Sequence, residues 1–152
     1  MIAEKTIDQV VERFSVKPDD LSTVYKELAA DQPSIISMLY STDLKTLTEE
    51  ETDLLFFIVA VLYESIKAQK GELEQVLPED LEAADDANWA KMMAAGSGNF
   101  RERITPFFND YLQEDLLAFA EDALLDDEEQ VVSGIGREAI FVTAKTVIDV
   151  LS

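Results

Sequence analysis

Apolar residues recur at three- and four-residue steps along most of this chain, a spacing that predicts helices. One stretch departs from that amphipathic pattern. Leu54 to Tyr63 is ten consecutive residues without a charge, and Tyr63 brings its only hydroxyl. Signals for a helix start and a helix stop bracket it. Thr48 and Glu51 have the spacing of a capping box, in which each side chain satisfies a backbone donor of the other residue. Glu49, Glu50 and Asp53 suit the positive end of the helix dipole, and Lys67 and Lys70 precede a stop at Gly71. The pattern therefore predicts a buried central helix over about 49–70, because a helix apolar all round must be wrapped by neighbours.

The other elements follow from the same reading. Ile7, Val10, Val11 and Phe14 mark a first helix over Thr6 to Phe14, with Met1 to Lys5 either extending it or fraying. Pro18, Asp19 and Asp20 open a second helix, which ends near Ala30 or Asp31 because Pro33 disfavours helical geometry at Gln32. Pro33 to Tyr40 predicts a short, mostly buried third helix, and Ser41 to Leu47 a connection. Pro78 starts a helix that Gly96-Ser97-Gly98-Asn99 breaks. Residues 96–105 read equally as loop or helix. Thr105 as N-cap with Pro106 at the first position then predicts one amphipathic helix through Phe108, Tyr111, Leu112, Leu116, Phe119 and Leu124. Asp126 to Glu129 is an acidic turn, and a last helix runs from about Ser133 or Gly136 to Leu151. No segment alternates with period two, so no sheet is expected. The expectation is one all-α domain spanning residues 1–152. It is a bundle of six or seven helices around the central and C-terminal ones.

Composition removes many chemistries. The chain has neither cysteine nor histidine, so thiolate nucleophiles, disulfides, histidine-ligated zinc and Ser-His-Asp catalysis are all excluded. The longest apolar run is too short for a membrane span, and the acidic, run-free N-terminus is no secretory signal. A cytoplasmic location is expected.

Charge adds the strongest bias. The net charge of −20 disfavours nucleic acid and anionic membranes, and it favours a basic protein partner. Its distribution is uneven. Residues 71–90 hold 7 acids and residues 110–129 hold 9, neither with a base. Between them lies a short basic segment rich in aromatic residues. Trp89, Phe100, Arg101, Arg103 and Phe107 form the candidate partner-binding surface there, since aromatic residues and arginine are enriched at binding hot spots.

Carboxylates are the only metal-site material. Glu79, Glu82 and Asp85 stand three residues apart, which places them on one helix face as candidate magnesium ligands. A two-part magnesium motif, E-E-x-x-E followed later by E-x-x-D, is met only by Glu82 and Asp85; Leu54 stands where the third glutamate of the first part belongs. Asp122 to Ser133 lacks the alternating ligands, central glycine and closing glutamate of a calcium loop. The leading expectation is a non-enzymatic binding or regulatory protein for a basic partner, with no cofactor. The alternatives are a magnesium-dependent hydrolase acting on a phosphorylated small molecule, and a self-associating structural protein.

Overall fold

Thr48 starts the helix around which the fold is assembled. In a computed structural model, which describes residues 1–41, 44–125 and 134–152, the Thr48 hydroxyl accepts from the Glu51 N–H at 3.2 Å. The Glu51 carboxylate accepts from the Thr48 N–H at 3.0 Å, completing the capping box. The helix runs Glu49–Lys70 and stops at Gly71, whose φ of 85° is the left-handed value that favours glycine. Ile58 to Tyr63 are all buried, as the apolar run requires.

Eight α-helices form among the described residues, with no strand. They are α1 (Glu4–Val16), α2 (Pro18–Asp31), α3 (Pro33–Leu39), α4 (Glu49–Lys70), α5 (Pro78–Ala94), α6 (Phe100–Ile104), α7 (Glu114–Leu125) and α8 (Gly134–Leu151). Proline opens α2, α3 and α5, where its missing N–H costs nothing. The fold is the all-α bundle that the spacing predicts, with α4 and α8 packed together at its centre. α1 and α2 cover α4; α5, α6 and α7 cover α8. Every residue of α8 from 139 to 148 is buried, including Thr143 and Thr146, whose hydroxyls donate to carbonyls one turn back. The expected acidic turn at Asp126 to Glu129, and the alternative helix start at Ser133, lie outside the described residues.

One expectation is met in part and another changes. The first helix extends back to Glu4, and the residues before it do not fray. Ile2 is buried, its N–H donates to Gln113 Oε1 at 2.8 Å, and Gln69 Nε2 donates to the Met1 carbonyl at 2.7 Å. The single helix predicted from Pro106 to Leu124 is instead two pieces, with a separate short helix before them. Asn99 caps α6 by accepting from the Glu102 N–H at 2.9 Å, a 3₁₀ turn covers Thr105–Phe108, and α7 begins only at Glu114. Thr105 does not cap; its hydroxyl donates to the Arg101 carbonyl at 2.7 Å. The chain breaks where Asn109 is extended and Asp110 adopts φ 54°, a left-handed value that aspartate tolerates. The break turns Tyr111 toward α8 and leaves Leu112 exposed.

Candidate functional site

The aromatic segment faces mostly inward. Phe107 is 1% exposed and meets the Phe141 ring of α8 edge-on, with centroids 5.4 Å apart. Phe100 meets the same ring edge-on at 5.9 Å, and Trp89 is half-buried against the core. Arg103 is a brace. Its Nε donates to Glu138 at 2.5 Å, while its terminal nitrogens donate to the Met92 and Gly96 carbonyls at the end of α5. Of the five residues proposed as a partner surface, only Arg101 is largely exposed, with Glu121 at 3.8 Å. Burial pushes the Glu121 carboxyl above its usual range, Arg101 opposes that rise, and Asp122 adds to it. Aromatic rings beside an apolar helix are drawn into the core by the area they bury.

The acidic helix α5 faces outward instead. Glu79, Asp80, Glu82 and Asp86 are exposed, and Asp85 is half-buried. Glu79, Glu82 and Asp85 do not gather into a ligand set: among the described residues, no three acidic side chains are placed to hold a metal ion. Glu82 and Asp85 do share something else. With Pro78 and Leu81 they form one wall of an open groove of about 510 Å³, and Pro33, Ser37 and Met38 of α3 form the other. The floor is apolar and the α5 rim is anionic.

A buried glutamine sets this groove. Gln32, in the bend between α2 and α3, is fully buried. Its Nε2 donates to the Glu74 carbonyl and its Oε1 accepts from the Val76 N–H, each at 2.9 Å. These two bonds hold the segment that leads into α5 and so place Pro78 beside Pro33. Gln32→Leu should strand the buried Val76 N–H, leave the Glu74 carbonyl to water, and cost about 1–3 kcal/mol. Urea unfolding measures this; a loss under about 0.5 kcal/mol would show that the bonds do not hold the segment.

A second polar cluster joins α5, the 109–113 bend and α8. Lys145, with its side chain 9% exposed, lies in the apolar run of α8. Its ammonium donates to Asp149 Oδ2 at 2.8 Å and to Asn88 Oδ1 at 3.0 Å. It lies over the Tyr111 ring, 4.6 Å from the centroid. Asn88 Nδ2 donates to Thr146 Oγ1 and to Asp149, each at 3.0 Å, and the Tyr111 hydroxyl donates to Asp149 Oδ1 at 2.6 Å. Burial, the hydrogen bond to Asp149 and that carboxylate's charge together push the Tyr111 phenol well above its ordinary pKa. These partners pin α5 and the 109–113 bend to α8. The sequence signal for the cluster was a lone lysine in an apolar helix with an aspartate four residues on.

No described helix is long and apolar enough to cross a membrane. The two acidic helices, α5 and α7, pack on α8 rather than on each other. Compared with models of known protein families, with curated proteins and with solved structures, the chain matches none.

Proposed function

We propose that this protein is a non-enzymatic, cytoplasmic binding or regulatory protein whose α5 face and adjoining groove receive a basic segment of a partner protein. The observation that carries this reading is the groove between α3 and α5. Met38 and Leu81 offer apolar contact inside it, while Glu82 and Asp85 line the same space. Residues 71–90 carry seven acids and no base. An apolar floor with a charged rim is the anatomy of a protein-recognition site: the apolar part supplies affinity, and the charges steer encounter and select the partner.

The reading predicts a salt-dependent interaction. The basic partner is captured from native lysate at low ionic strength, and its affinity is then measured by calorimetry. Kd should rise about tenfold between about 50 and 300 mM salt, as screening shortens the reach of the α5 charges. Glu82→Lys with Asp86→Lys should weaken binding about tenfold at low salt. Glu12→Lys, an exposed change on α1, should have far less effect. Affinity indifferent to salt, or equal loss from both variants, overturns the reading.

A further inference from the structure

A different hollow lies between α2, Tyr40 just after α3, and the start of α4. It measures about 410 Å³, and its walls include Tyr25, Tyr40, Phe56 and Asp53. The Phe56 ring is its centre. Tyr25 meets it at 84° with centroids 6.0 Å apart, and Tyr40 meets it at 57° with centroids 5.4 Å apart. Two tyrosine rings, each steeply inclined to Phe56, thus line one space with it. Tyr40 is 68% exposed, so its ring is open to solvent. Asp53 is also exposed, and it has no hydrogen bond or ion pair among the described residues. Its charge reaches into the hollow: after burial, it is the second cause of the raised pKa of the Tyr25 phenol.

We infer that Tyr25, Tyr40, Phe56 and Asp53 form a receptor for an alkylammonium group, namely a lysine side chain presented by the basic partner. Aromatic faces carry negative electrostatic potential and attract a cation held within about 6 Å of the ring centroid. The alkyl stem of a lysine matches the apolar part of the hollow, which Leu21 and Phe57 complete. Asp53 supplies the counter-charge at its edge, and the net charge of −20 favours the approach of any cation. Packing alone would account for the rings meeting one another. The exposed Tyr40 ring and the Asp53 carboxylate leave the hollow open to a cation from solvent.

The inference rests on the reading of a basic partner, but it is tested without one. Nα-acetyl-lysine N-methylamide is titrated into the intact protein while the ring proton resonances of Tyr40 and Phe56 are followed by NMR. Saturable shifts are expected, with Kd on the order of millimolar. The norleucine derivative has the same stem without the ammonium and should bind about 5–30-fold more weakly. Tyr40→Leu, at an exposed position that does not threaten folding, should weaken the lysine derivative to a similar degree, and Asp53→Asn should weaken it as well. Three results overturn the inference: no saturable shift, equal binding of the norleucine derivative, or undiminished binding by Tyr40→Leu. The last would mean diffuse attraction to an acidic surface. Failure here leaves the α5 groove standing. Failure of the α5 charge reversals to weaken the partner leaves this receptor standing.

Discussion

Phe141→Ala should cost about 3–5 kcal/mol, measured by urea or thermal unfolding. Phe141 is fully buried on α8, and three rings converge on it: Phe107 at 5.4 Å, Phe100 at 5.9 Å and Phe108 at 6.4 Å. Removing it leaves a cavity that three aromatic side chains cannot fill without shifting α6 and the turn that follows it. The loss belongs at the upper end of that range, because edge-to-face contacts are forfeited along with buried area. Against a typical total stability of about 5–15 kcal/mol, it is enough to unfold a marginal domain. Leu112→Ala is the matching control. The apolar spacing of the sequence makes Leu112 a core residue, worth about 2–5 kcal/mol on truncation. At 72% exposure it should instead cost under about 0.5 kcal/mol. Equal losses from the two variants would refute the broken helix at 109–113.

That contrast shows where sequence reasoning succeeds. Local signals are legible because their partners lie within one turn. The Thr48 and Glu51 cap, the stop at Gly71 and the prolines opening α2, α3 and α5 all occur where their spacing places them. The burial of α4 also follows from local information, since ten apolar residues with caps at both ends leave no other arrangement. The features that depend on distant partners were not legible. Asn109 and Asp110 tolerate a turn, but the apolar spacing runs straight across them; the break is fixed where Tyr111 bonds to Asp149 on α8 and Gln113 takes the Ile2 N–H. The sequence admits Phe100, Phe107 and Arg103 either as a partner surface or as inward-facing packing; Phe141 and Glu138, distant in the chain, draw them inward. The acidic character of α5 was legible. The groove beside it was not, because Gln32 sets it through the backbone of Glu74 and Val76. The cluster around Lys145 lay in plain view. A charge inside an otherwise apolar helix must find a partner or be expelled, and Asp149 one turn away was the obvious one.

Lys145→Met should cost about 2–4 kcal/mol, somewhat less than a fully enclosed pair because Asp149 retains some solvent contact. The methionine fills the volume, so the loss measures stranded polar groups rather than a cavity. It leaves Asp149 without its cation and Asn88 Oδ1 without its donor. A double-mutant cycle isolates the charge. In an Asp149→Asn background the carboxylate is gone, and Lys145→Met should cost at least about 1 kcal/mol less than in the parent. Strict additivity would show that ammonium and carboxylate are uncoupled. The same cluster has a pH signature. Tyr111 must stay protonated to donate to Asp149, and its phenol is raised in the folded state from an ordinary value of 10.0. Above that value the folded chain holds a proton that the unfolded chain releases, so unfolding gains as pH rises. The stabilisation is complete below about pH 10 and is lost progressively above it. Tyr63 acts in the same direction: its phenol is raised by burial, by its hydrogen bond to Asp31 and by the charges of Asp31, Glu27 and Glu64. Tyr111→Phe should therefore flatten the alkaline decline without abolishing it. An unchanged slope in Tyr111→Phe would mean that Asp149 does not hold the phenol in its protonated form.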